Sequence, residues 1–251
     1  MQRREYLPLA ALILAFWPVW LWLATRMASD PADAWGLLSL LTAAVLLRRN
    51  QASAHVHWGP PVLVVLIYTV TYAFVPPLVR ALIAMSALAA LYRKVWFWGL
   101  LLLTPPLIPS LNFFLGYPLR VLVGEATALL LQLNGFAAVR EGSVLLWNGQ
   151  QVSIDAPCSG IKMLWTGMYL SCALAGLRRL NAVQTVLLGA LAMLIVMMAN
   201  VLRATALFYV EAGIVPQAEP AHALIGVVVF VLAAIGIAGA ASRFPRVTHA
   251  S

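Results

Sequence analysis

The sequence predicts an all-α polytopic membrane protein, and three observations carry that prediction. Hydrophobic residues fill 63% of the 251 positions, while charged residues fill only 10%. Mean hydropathy is +0.92. The apolar residues also gather in long runs, several near the roughly 20 residues that a helix needs to cross a bilayer. A soluble chain spends about a quarter of its residues on charge, so that class is excluded. The net charge of +8 does not mark a nucleic-acid binder, because the basic residues fall in short pairs between apolar runs, with no extended basic face.

Run length and punctuation place eight spans, at roughly 6–25, 35–47, 60–79, 80–92, 95–111, 159–177, 182–210 and 222–241. The first follows Arg3-Arg4 but lacks a small-residue cleavage site, and reads as a retained anchor. With the amino terminus inside, the pairs Arg3-Arg4, Arg48-Arg49, Arg93-Lys94, Arg178-Arg179 and Arg243/Arg246 all fall on the cytoplasmic side. These account for ten of the 16 basic residues. That count requires 113–133 to stay on the outer face. This stretch carries Gly116, Pro118, Arg120, Gly124, Glu125 and Gln132, and is expected to be an interfacial or re-entrant helix.

The substantial polar stretch, residues 133–157, then lies outside the membrane. Ser143–Trp147 and Gln150–Ile154 flank Asn148-Gly149, the signature of two short strands around a type I′ turn. An isolated hairpin is marginal in water and is expected to pack on the membrane domain. No repeat or linker divides the chain, so 1–251 is read as a single integral membrane domain whose chemistry lies in 158–241.

Within that region Asp155-Ala156-Pro157-Cys158-Ser159-Gly160 is a polar, turn-forming cluster at the start of an apolar segment. Pro157 suits a helix start, and the amides that follow turn their positive dipole toward the Cys158 thiol. Such a position lowers a thiol pKa and raises the thiolate fraction. Ser159 and Gly160 are small and leave room for a substrate backbone. Cys172, the other cysteine, lies fourteen residues on, roughly 21 Å along a helix, beyond disulfide reach. It reads as a small core residue.

Arg203 and Asn200 share a helix face in the next span, near its outer end. An arginine in an apolar helix costs an estimated ~2.5–3.5 kcal/mol on insertion and faces a partner or water. Snorkelling and interhelical contact are the structural alternatives. His222 opens the last span, with Gly226 one turn further, and an imidazole titrates near neutrality. A lone histidine at a membrane boundary is more often structural. His55-Val56-His57 has no third ligand nearby in sequence and reads as a solvated loop. Neither a metal nor a cofactor is expected, and no phosphate loop, zincin motif or serine elbow is present.

Taken together, Ala156-Pro157-Cys158-Ser159-Gly160-Ile161, then Asn200-Val201-Leu202-Arg203, then His222 with Gly226, resemble the exosortase/archaeosortase family. The resemblance covers the carboxyl-terminal half well, and the amino-terminal third only in being multispanning. It implies a membrane cysteine peptidase or transpeptidase of the bacterial inner membrane, with its active site on the outer face. The implied partners are the lipid bilayer and secreted proteins that end in a short motif (Pro-Glu-Pro in the commonest class), a membrane helix and a basic cluster; nucleic acid is not among them. In this reading Cys158 is the nucleophile, Arg203 the oxyanion partner and His222 the base and acid. Asn200, Ser159, Gly160 and Gly226 support them, and Asp155, Glu211 and Glu219 compete to orient His222. Two other functions use the same residues differently: a transporter or polysaccharide-export component with Arg203 as an anion site, and an acyltransferase that depends on His222 alone.

Overall fold

A computed structural model describes residues 6–30, 33–50, 57–153, 160–215 and 221–245. These residues form ten α-helices and one antiparallel sheet of three strands. The helices are α1 (Tyr6–Ala15), α2 (Trp17–Ser29), α3 (Trp35–Arg49), α4 (Gly59–Thr71), α5 (Pro77–Ala90), α6 (Val95–Leu102), α7 (Ile108–Leu133), α8 (Ile161–Arg178), α9 (Ala182–Glu211) and α10 (Ala221–Arg243). The strands are β1 (Val139–Glu141), β2 (Val144–Trp147) and β3 (Gln150–Ser153). The chain falls into two compact units, one of residues 1–107, 172–185 and 246–251, the other of 108–171 and 186–245.

Among the described residues, α7, α9 and α10 are long and apolar enough to cross a membrane. Two of these, α9 and α10, are among the eight expected crossings and α7 is not; proline shortens several of the others. The expected span 6–25 is two helices, because Pro18 starts the second and cannot continue the hydrogen-bond ladder of the first. The boundary expected at 79/80 lies instead before Pro77, after α4 has ended at Thr71. The span expected at 95–111 ends at Leu102, ahead of Thr104-Pro105-Pro106, and its last residues belong to α7. The segment expected at 113–133 to lie on the surface is part of that same helix. With 26 residues, it has the length and hydropathy of a crossing.

In the first unit, small residues let helices approach. Ala81, Ala84 and Ala87 of α5 are fully buried, as is Phe16, whose ring meets Tyr68 edge-on at 4.7 Å. The Ser39 hydroxyl donates to the Leu100 carbonyl (2.6 Å), and the Asn50 amide to that of Gly176 (3.1 Å). Cys172 is buried and forms no disulfide among the described residues, and a methyl added to Gly99 would strike its sulfur. That is the core role expected for it.

In the second unit the expected hairpin forms with Trp147 opposite Gln150 and Leu145 opposite Val152. Asn148 (φ 49°) and Gly149 (φ 75°) both have positive φ, as a type I′ turn requires. A third strand, β1, pairs antiparallel with β2 after a turn at Gly142. The sheet does not stand alone. Leu145 and Val152 pack with Ala128 and Leu131 of α7 and Phe208 of α9. Phe136, Trp147, Phe208 and Tyr209 add an aromatic cluster with ring centroids 5.3 to 6.3 Å apart. The last turns of α9 are therefore tied to the sheet.

Candidate active site

Helix α9 is longer than a membrane crossing needs. Its 30 residues span about 45 Å, against roughly 30 Å of hydrocarbon. A crossing that starts near Ala182 is complete close to Arg203, leaving the aromatic cluster and Glu211 beyond it.

Gly160 lies at the entrance to α8, buried and with φ +76°. Its carbonyl accepts a hydrogen bond from the Leu164 amide at 2.7 Å, closing the first turn of the helix. A methyl group at this position would stand 2.8 Å from both Cγ and Nδ2 of Asn200. Backbone conformation and space thus both demand glycine, for independent reasons. Asn200 itself is 1% exposed.

Arg203 follows Asn200 by one turn on the same face of α9 and is half-buried. Its guanidinium lies against α10 at Gly226, where a methyl would sit 3.6 Å from Nε and 3.9 Å from one terminal nitrogen. Gly226 leaves a bare helix surface for the planar group. His222 is one turn earlier on α10, with Nε2 3.7 Å from Oε1 of Glu211, the last residue of α9. The histidine side chain is 57% exposed and the glutamate 29%.

The structure therefore brings six sequence-selected residues together, Gly160 on Asn200, then Arg203 on Gly226, then His222 beside Glu211. Cys158 and Ser159 lie outside the described residues, as do Asp155 and Glu219. Of the three carboxylates that competed for His222, Glu211 is the one described, and it stands beside the imidazole. Sequence reasoning left it undecided, although a signal existed. Helices α9 and α10 are joined by a short connection, which makes them antiparallel neighbours and sets the last residue of one near the first of the next. Sequence reasoning missed the aromatic cluster that anchors the end of α9 altogether.

A family model described as transmembrane exosortase (Exosortase_EpsH) matches residues 2–239. No curated protein and no solved structure matches the chain. The matched stretch covers nearly the whole chain, including the helices that carry Gly160, Asn200, Arg203, His222 and Gly226, and this membrane-embedded chain belongs to the transmembrane exosortase family.

Proposed function

We propose that the protein is a cysteine peptidase or transpeptidase that removes the carboxyl-terminal sorting signal of secreted proteins at the outer face of the cytoplasmic membrane. Family membership supports the substrate class. The observation that carries the chemistry is the packing of Gly160 against Asn200, one turn from Arg203. Cys158 precedes Gly160 by two residues, so their Cα atoms are at most about 7.6 Å apart. In this reading the short tether brings the Cys158 thiol toward the Arg203 guanidinium and the His222 imidazole.

The Cys158 thiolate attacks a peptide carbonyl carbon of the substrate, and the Arg203 guanidinium stabilises the charge that develops on the carbonyl oxygen. His222 takes the thiol proton and delivers it to the leaving nitrogen as the C–N bond breaks, leaving a thioester on Cys158. An amine or water then attacks the thioester and releases the thiolate. Glu211, 3.7 Å from the imidazole, orients it, the role of the third group in such arrangements.

The test is co-expression with a reporter that ends in the motif, membrane helix and basic cluster, followed by mass spectrometry of the reporter's carboxyl terminus. Wild type trims the reporter and Cys158→Ala does not. Continued trimming by Cys158→Ala removes Cys158 as the nucleophile and contradicts the reading.

A further inference from the structure

Arg120 is a charged residue that the proposed mechanism does not use. It lies inside α7, a helix with the length and hydropathy of a membrane crossing. Gly116, Gly124 and Thr127, at offsets of four, four and seven from Arg120, are buried and mark one face of that helix. The Arg120 Nε is buried without a hydrogen-bond partner among the described residues. The Thr127 hydroxyl is in the same condition one to two turns further on. A hydroxyl left so is a modest loss, but a half-buried guanidinium with its Nε unpaired in a helix of this hydropathy is stabilised by an anion. The nearest carboxylate on its own helix is not that anion, since Glu125 is engaged by Arg140.

Packing fixes the level at which this cation stands. Val123 packs with Val201 and Ala204, the residues around Arg203, whereas Ala128 and Leu131 pack with Phe208. Helices α7 and α9 thus run side by side in the same direction. Arg120, one turn before Val123, is level with Asn200, one residue before Val201. A second arginine accordingly faces the region that already contains Asn200 and Arg203, from the opposite helix.

We propose that Arg120 is a specificity-determining residue that binds a carboxylate side chain of the substrate peptide beside the bond that is cut. This rests on the peptidase reading above. The position of Arg120 one turn from Val123, which packs with Val201 and Ala204 of α9, favours an occupant within the unit over a phosphate of the surrounding lipid. A guanidinium can grip a carboxylate through two parallel N–H bonds, which lysine and glutamine cannot.

The test uses the wild type, Arg120→Gln and Arg120→Lys on two reporters, one with its acidic motif residue intact and one with that residue changed to glutamine. The wild type should cut the acidic reporter about ten- to a hundredfold faster in kcat/KM, the range of a charge-assisted hydrogen bond. Arg120→Gln should lose that factor on the acidic reporter and little on the amide one, becoming indifferent to the substitution. Arg120→Lys should fall between them, and serves if the glutamine variant does not accumulate. An equal loss on both reporters, or none on either, overturns the inference, because a packing or lipid-anchoring role would not depend on substrate charge. Failure of the wild type to cut either reporter instead overturns the peptidase reading itself.

Discussion

Replacing Gly160 with alanine tests the site's geometry at one atom. Two costs add. A residue with a Cβ at φ +76° is in the left-handed region, which costs about 1–2 kcal/mol. The new methyl would also stand 2.8 Å from the Asn200 amide, and overpacking of this kind costs about 1–3 kcal/mol. Asn200, at 1% exposure, has no open solvent to retreat into. The total, about 2–5 kcal/mol, lowers the melting temperature by at least ~4 °C at the sensitivity of a chain this size. The assay is thermal unfolding of detergent-solubilised protein, alongside reporter cleavage. The double variant Gly160→Ala/Asn200→Ala should recover the overpacking part of the loss and keep the φ part. A Gly160→Ala protein that melts with the wild type, or an Asn200→Ala partner that restores nothing, refutes the reasoning.

Gly226 makes the opposite prediction. Alanine there meets Arg203 at 3.6 Å, an ordinary contact, so Gly226→Ala should cleave like wild type and gain up to about 1 kcal/mol of helix stability. Gly226→Leu should displace the guanidinium and remove most activity while the protein still accumulates, as reporter cleavage and detergent gel filtration would show. Glu211→Gln should lower kcat by at least ~tenfold with little change in KM, since general acid–base catalysis is worth about 10²–10⁴-fold and only its orientation is impaired. Phe208→Ala should cost about 3–5 kcal/mol at the contact between sheet and α9, read as faster proteolytic nicking between 134 and 153.

Much of this protein is legible in its sequence because membranes impose long apolar runs and because turns need particular residues. The hairpin follows from Asn148-Gly149, whose positive φ values few other pairs tolerate. β1 escapes notice because three residues, Val139–Glu141, are too few to display an alternation. The break after Leu102 was visible as Pro105-Pro106, but a reading by run length carried the span across it. The site separates in the same way. Asn200, Arg203 and His222 stand out because polar groups are costly in apolar helices. The roles of Glu211 and Arg120 depend on which helix ends and faces meet, and that is a property of packing, not of local composition.

The central claim is covalent catalysis by Cys158. Its most direct test is intact mass measurement of the membrane-extracted protein after incubation with a reporter that is slow to be released. The account predicts an added mass equal to the acylating reporter fragment, located on the Cys158 peptide, removed by hydroxylamine and absent from Cys158→Ala. A wild-type protein that cleaves the reporter with no such adduct, or carries it on another residue, would contradict the account.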